Sequence, residues 1–397
     1  MFYGPHTLVM FLEILKLYTP YNLFVYFFRN TSYLELDHLQ IHSLPRLPFR
    51  LTHLIINRTQ VTALPRLPTT LRYLSCVNTL IQSLPLLPKG LEELLIPGTR
   101  ITTLPELPKG LKKLSCSNTQ LRELPELSDS LTYLNCSNTR IRYIPKLPAS
   151  LETLYCYTTP LESLPDLPPD LELLHCEETN ITRLPPLPSM LVELNCSDTL
   201  ITSLPPLPDT LEELTCVNTA LTVLPPLPSQ LGILYCWTTL LHSLPPLPPS
   251  LFYLSCQDTP LTSLPPLSHT HIIHLNCSNT PLTELPELPE SVSVLNISNT
   301  KITVLPELPK RFLAENRWDN LKIENTPLLL TPGPTESLDD YNLRWRVWRE
   351  EIASRERTMK RTNLLYKDLV SASWHPDRFE RWCLDEEEKK ENDGMME

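Results

Sequence analysis

Glycine is scarce in this chain: it accounts for only 7 of 397 residues, against 43 prolines. A loop that cradles phosphate groups needs clustered glycines, and no such cluster occurs. The chain has 11 cysteines, yet it lacks the closely spaced C-x-x-C pairs that are typical of zinc sites. No ordered set of catalytic-triad residues emerges either. These absences argue against an enzyme, and they predict neither a metal site nor a cofactor.

An excess of positive charge is also missing, because the formal net charge is -11 and the sequence pI is about 5.5. Tight nucleic-acid binding needs clustered cations against phosphates, so DNA and RNA are poor candidate partners. The chain further lacks an uninterrupted apolar run long enough to cross a membrane. Residues 7–28 come nearest, but Glu13, Lys16 and Pro20 interrupt them.

A twenty-residue motif fills most of the chain. A leucine recurs every twenty residues from Leu51 to Leu251, and each copy resembles residues 71–88, L-x-x-L-x-C-x-N-T-x-I-x-x-L-P-x-L-P. We number the positions of this repeat from Leu71 as position 1. About fifteen units fit between residues 31 and 330, with one extra residue near His269–His271. Self-similarity at a short fixed period predicts a solenoid, in which each unit packs only on its neighbours.

Each unit divides into two halves of different character. Period-two alternation predicts a short strand with Leu74 and Cys76 facing inward and Tyr73, Ser75 and Val77 facing outward. The Leu-Pro-x-Leu-Pro half has no room for a helix, and its prolines favour an extended, polyproline-like return. The repeats therefore predict a parallel sheet on one face and extended segments on the other.

Two columns of small residues run along the repeats. Ten cysteines occupy position 6, where other copies carry Leu or Ile, so we expect buried, reduced thiols and an intracellular protein. A threonine occupies position 9, and we expect its hydroxyl to bond turn backbone in its own or the next unit. The cysteines are Cys76, Cys116, Cys136, Cys156, Cys176, Cys196, Cys216, Cys236, Cys256 and Cys277.

This pattern resembles the leucine-rich repeat, with Cys76 at a usual leucine and Thr79 at the usual asparagine. The twenty-residue length and the L-P-x-L-P ending are similar to the short bacterial repeats of the YopM and IpaH effector families. The cysteine and threonine columns also resemble repeat proteins of giant nucleocytoplasmic DNA viruses. The resemblance implies a horseshoe-shaped leucine-rich-repeat solenoid whose concave parallel sheet binds a partner protein.

Outward strand positions in the middle of the array carry the candidate partner-binding residues. Aromatic groups supply interface anchors, and carboxylates favour a basic partner, although outward tyrosines also simply suit strands. The first group lies on three neighbouring strands, the second on two, and the acidic group lies between them. They are Tyr133, Tyr155, Tyr157 and His175; Tyr235, Trp237 and Tyr253; and Glu177, Glu193 and Glu213.

The two ends of the chain differ from the repeats. Residues 1–30 predict an apolar, helical N-terminal cap, with a membrane anchor at 7–28 as the alternative. Residues 331–397 predict a charged helical segment that caps the last repeat, or whose Arg344, Arg346 and Arg349 contact lipid or a second protein. Near the extra residue, His269, His271 and His274 are either a polar bulge or a metal site.

The sequence thus predicts a non-enzymatic, intracellular protein-interaction module, with a viral protein acting in the host cytoplasm as the most specific version. One rival hypothesis is a ubiquitin ligase of the IpaH type, because Cys383-Leu384-Asp385 has that family's C-x-D form. Too few residues follow the repeats for that family's catalytic domain, and the acidic residues after Cys383 disfavour a thiolate. The other rival is a membrane-associated adaptor.

Overall fold

The computed structural model describes residues 31–306, 308–309 and 320–328. Contacts within the chain define two units, Met1–Leu329 and Leu330–Glu397, and all described residues lie in the first unit. The predicted caps at 1–30 and 331–397, the 7–28 segment and Cys383 lie outside the described residues. Among the described residues, no helix is both long enough and apolar enough to cross a membrane.

The described repeats form one parallel sheet of fifteen strands in chain order. The predicted leucine-rich-repeat solenoid with its parallel sheet is confirmed. The strands are β1 (Tyr33–Glu35), β2 (His53–Ile55), β3 (Tyr73–Ser75), β4 (Glu93–Leu95), β5 (Lys113–Ser115), β6 (Tyr133–Asn135), β7 (Thr153–Tyr155), β8 (Leu173–His175), β9 (Glu193–Asn195), β10 (Glu213–Thr215), β11 (Ile233–Tyr235), β12 (Tyr253–Ser255), β13 (His274–Asn276), β14 (Val294–Asn296) and β15 (Leu321–Lys322).

Neighbouring strands pair in register, so that equivalent repeat positions stand side by side in columns. Tyr133 pairs with Thr153 and Glu193 with Glu213, each twenty residues apart. Beyond Tyr253 the pairing partner is His274, one residue later than the period requires. The extra residue is therefore absorbed in the loop before β13, and the sheet keeps its register.

Leucine at position 4 and cysteine at position 6 point into the core, as the alternation predicts. Leu74, Cys76, Leu194 and Cys196 are all fully buried, and all ten repeat cysteines are buried free thiols. Seven of these thiols also lie 3.5–3.7 Å from a carbonyl oxygen of the following strand, as Cys156 Sγ does from His175 O. The thiol can therefore donate a weak S–H hydrogen bond to this carbonyl, which an aliphatic side chain at position 6 could not do.

A threonine at position 9 lies in the turn after each strand from β2 onward. In thirteen repeats the position-9 hydroxyl donates to the carbonyl three residues earlier at 2.6–2.9 Å, as Thr79 Oγ1 does to Cys76 O. The expected bond to turn backbone is confirmed, within the same unit. Thr326, in the last described repeat, donates to Ile297 O of the preceding repeat instead.

The turn between the strand and the threonine uses left-handed backbone. Position 8 has a φ of 51–67° in every one of the fifteen repeats, usually at Asn or Asp, which tolerate this region best. Gly98 takes this position once, and a Cβ there would lie 2.1 Å from Asn78 Oδ1. The Leu-Pro-x-Leu-Pro segments that follow contain neither helix nor strand within the described repeats.

Candidate protein-binding surface

Positions 3, 5 and 7 of the repeats project from the same face of the sheet, opposite the buried leucines. We call this face the concave surface. The repeats of β6–β13 carry most of its aromatic side chains together with Glu177, Glu193 and Glu213. In-register stacking places each residue beside its equivalent in the next repeat. The candidate residues, scattered over more than a hundred positions in sequence, therefore become neighbours in space.

The first aromatic group is a continuous run of rings. Tyr155 contacts Tyr133 at 5.8 Å and His175 at 5.1 Å between ring centroids, and the Tyr155–His175 pair is edge to face. Lys113 on β5 extends the run, with its Nζ 4.7 Å from the centre of the Tyr133 ring. The run shows that an ammonium group can be accommodated against these rings.

Tyr157 does not have the exposed position that the sequence predicted. It is only 1% exposed and contacts the Tyr155 ring at 6.3 Å, so the expectation of a solvent-facing anchor is wrong. Alternation correctly predicts that position 7 lies on the outward face of the sheet. The residue there is nevertheless buried, because it directly precedes the left-handed turn and neighbouring repeats pack around it. Seven other position-7 residues, from Ser117 to Ser298, are similarly buried: Ser117, Ser137, Glu177, Ser197, Val217, Ser278 and Ser298.

Next to the rings lies a group that we call the carboxylate centre: His175, Glu177, Glu193 and Glu213. His175 Nε2 is 2.6 Å from Glu193 Oε1, and its Nδ1 is 3.9 Å from Glu177 Oε1. Glu177 is 9% exposed, and its Oε2 is buried without a hydrogen-bond partner in the described part of the chain, as is His175 Nδ1. A buried carboxylate oxygen without a donor is energetically costly.

Burial and neighbouring charges shift the pKa values of His175, Glu177 and Glu213. Burial raises the pKa of Glu177 to about 7 against the opposing effect of His175, and burial with the nearby Glu193 charge raises the pKa of Glu213. Burial alone would lower the pKa of His175, but its bond to Glu193 and the surrounding carboxylates raise it overall. Glu177 therefore titrates near neutral pH.

The second aromatic group is partly covered. Tyr235 contacts Tyr253 at 4.8 Å, and Tyr253 stacks on His274 at 4.3 Å with an interplanar angle of 4°. Tyr235 is only 9% exposed, so the expectation that it faces solvent is also wrong, whereas Tyr253 and Trp237 are half-buried. His274 therefore packs on Tyr253 and does not join His269 and His271 in a histidine cluster.

The remaining two histidines of that cluster serve the loop before β13. His269 Nε2 and His271 Nδ1 each lie 2.8 Å from a backbone carbonyl of the preceding repeat, Leu247 O and Pro249 O. Within the described residues, no group of three His, Cys, Asp or Glu residues is arranged to hold a metal ion. The polar bulge is the arrangement that these bonds support.

Sequence reasoning missed how unevenly charge is distributed. Residues 151–250 contain twelve acidic residues and one basic residue, Arg183, giving a net charge of -11 that equals that of the whole chain. A count by repeat would have revealed this block. The contacts of Lys113 and His274 with tyrosine rings were also missed, and these depend on the register between strands.

Comparison with known proteins places this architecture. No protein-family model and no curated protein sequence matches the chain. Among solved structures it is similar to YopM from Yersinia enterocolitica WA-314, at 32% identity and a TM-score of 0.68, covering 78% of this chain and 72% of that one. YopM from Yersinia pestis matches at 33% identity and a TM-score of 0.68, with 79% and 88% covered.

A more distant similarity is to a Listeria protein. The functional domain of InlJ from Listeria monocytogenes, which includes a cysteine ladder, matches at 23% identity and a TM-score of 0.55, covering 68% of each chain. At this identity the likeness shows the fold alone.

Proposed function

This chain belongs to the family of short leucine-rich-repeat proteins that includes YopM, and from that premise we propose that it is a non-enzymatic module that binds a partner protein on its concave surface. A stack of identical backbone units with variable outward side chains suits recognition of a macromolecule. The repeats supply a rigid frame, and the outward positions supply specificity.

The observation that carries this proposal is the placement of half-buried aromatic side chains on both sides of the carboxylate centre. On one side, Tyr133 lies on β6 and Tyr155 on β7. On the other side, Trp237 follows β11 and Tyr253 lies on β12. Aromatic side chains of this kind bury a large area at small entropic cost when a partner docks. A partner that spans these strands would contact both aromatic groups and the acidic group between them.

The cellular setting forms a further part of the proposal. Ten buried free thiols in one column suit a reducing compartment. With the resemblance to giant-virus repeat proteins, they support a viral protein that acts inside the host cell. Neither the ligase nor the membrane-adaptor hypothesis gains support from the described residues, so we propose neither.

Capture of partners from a lysate of candidate host cells tests the concave surface. We expect the variant with Tyr133→Ala and Tyr253→Ala to lose at least nine tenths of any specifically captured protein. The matched control changes two exposed aromatic residues outside the strands, Phe49→Ala and Tyr143→Ala, which are 57% and 60% exposed. Equal capture by both variants, with unchanged circular dichroism, would refute binding at the concave surface.

A further inference from the structure

Resting on the proposed function, we propose that the carboxylate centre is a seat for an arginine side chain of the partner, with the guanidinium held by Glu193 and Glu213. Glu193 and Glu213 occupy position 3 of adjacent strands and pair directly in register. Parallel strands lie about 4.8 Å apart, so one planar guanidinium can donate to both carboxylates.

The centre has one unsatisfied carboxylate oxygen, Glu177 Oε2, which is the first independent sign that a cation belongs there. Glu177 is nine-tenths buried, and its Oε1 lies 3.9 Å from His175 Nδ1. Its Oε2 has no hydrogen-bond partner among the described residues. His175 in turn engages Glu193 at 2.6 Å. A cation at Glu193 and Glu213 would offset the repulsion among three carboxylates that now face a single imidazole.

The acidic repeats supply no lysine or arginine to these carboxylates. None of the strand residues of β7–β11 is Lys or Arg, and Arg183 is the only basic residue in the block 151–250. Elsewhere the same fold does pair its carboxylates: Glu92 accepts hydrogen bonds from both Arg72 and Lys112. The contrast points to an external cation for the carboxylate centre.

The two adjacent carboxylates of Glu193 and Glu213 favour arginine over lysine. Tyr155 is edge to face with His175 at 5.1 Å, which places its ring beside the imidazole that engages Glu193. A guanidinium is planar, weakly hydrated and able to donate several hydrogen bonds in a fixed fork, so it can engage both carboxylates at once.

The test measures binding of a fluorescein-labelled hexa-arginine peptide to the full chain by fluorescence anisotropy, at about pH 7.5 and about 0.15 M NaCl. We expect Glu193→Gln with Glu213→Gln to weaken binding about tenfold, since it removes both carboxylates of the seat. The matched control, Asp166→Asn with Asp209→Asn, removes the same charge from exposed loop positions in the same block. We expect the control to weaken binding less than twofold.

Comparison peptides define the chemistry. Hexalysine should bind several-fold more weakly than hexa-arginine, and hexaglutamate should not bind. Equal loss of affinity in the two double variants would indicate general attraction to an acidic block, and it would overturn the seat. Concentration-dependent self-association of the chain without peptide binding would overturn it too. If the double variant unfolds, Glu213→Gln alone should still weaken binding about threefold.

The seat and the proposed function can fail separately. If a captured partner is released by Tyr133→Ala with Tyr253→Ala but retained by Glu193→Gln with Glu213→Gln, concave binding stands and the arginine seat is refuted. If hexa-arginine binds as expected while neither double variant affects capture of a partner, the seat stands and the proposed function fails.

Discussion

The first six repeats and the next five have the same backbone but opposite charge. Residues 31–150, which contain β1–β6, have fourteen basic and eight acidic residues, for a net charge of +6. Residues 151–250, which contain β7–β11, have twelve acidic residues and one basic residue. The core positions are aliphatic residues, cysteine and threonine in both stretches. Surface charge can therefore vary from repeat to repeat, because the positions that specify the fold face inward.

We call residues 31–150 the basic half and residues 151–250 the acidic half. Carboxylates in the two have different surroundings. In the basic half, Glu92 lies between Lys112, at 2.8 Å, and Arg72, and hydrogen bonds from these two cations lower its pKa. In the acidic half, burial raises the pKa of Glu177 to about 7. One carboxylate is exposed and paired, whereas the other is buried beside further carboxylates. The comparison separates a carboxylate that is paired within the fold from one whose buried Oε2 has no hydrogen-bond partner among the described residues.

The largest effect should be the same in both halves. Leu114 and Leu194 occupy position 4 of β5 and β9, and both are fully buried. Each change to Ala should lower the free energy of unfolding by about 3 kcal/mol, because it removes buried methyl groups and leaves a cavity. Urea denaturation followed by circular dichroism measures this. A difference of more than about 1.5 kcal/mol between the two variants would show that the halves differ in their cores as well.

A second effect should occur in the acidic half alone. Burial raises the pKa of Glu177 from its ordinary value of 4.5 to about 7, so the folded state binds its proton more tightly. This contribution to stability is complete below pH 4.5 and is lost as the pH rises through about 7. His175 and Glu213 also have raised pKa values, so their contributions change in the same direction. Glu178, Glu193, Tyr155 and Tyr157 are the other titratable groups close by, and the buried Cys176 lies beneath.

The free energy of unfolding should fall as the pH rises from about 5 to about 8, and we expect this fall to be about 2 kcal/mol smaller in Glu177→Gln than in the original chain. Thermal unfolding at several pH values measures this. Asp166→Asn is the control, because it makes the same charge change at an exposed site. A parallel pH dependence in the original chain and both variants would contradict the burial of an ionisable Glu177.

A third effect tests whether the strand ends are equivalent. Thr119 and Thr199 donate to Cys116 O and Cys196 O at 2.8 and 2.7 Å. Thr119→Val and Thr199→Val should each cost about 1 kcal/mol, since one buried hydrogen bond is lost and the shape is kept. Chemical denaturation gives the values. No cost at either site would mean that the hydroxyl column does not contribute to the turn.

The smallest effect belongs to the ion pairs of the basic half. Glu92→Gln should leave the unfolding midpoint nearly unchanged, because exposed ion pairs gain little and are screened by salt. Denaturation at about 0.05 M and about 0.5 M NaCl is the measurement. A large loss at low salt alone would reveal a charge network in this half that the isolated contacts do not show.

The sequence predicted much of the fold and only part of the site. Period and alternation located the strands, the inward Leu74 and Cys76, and the threonine bond. They did not predict that Tyr157 and Tyr235 are covered, because exposure depends on side chains in adjacent repeats. The engagement of His175 by Glu193 joins residues eighteen positions apart. Only the stacking register brings such a pair together.

The sequence by itself determined the repeat, its inward columns and the charge of each block, because these are properties of spacing and residue type. The tertiary structure alone decided which outward groups meet, which are covered and which proton affinities change. The physical reason is that a strand's pattern sets the direction of each side chain. Solvation and electrostatic pairing instead depend on the distance to atoms of other repeats.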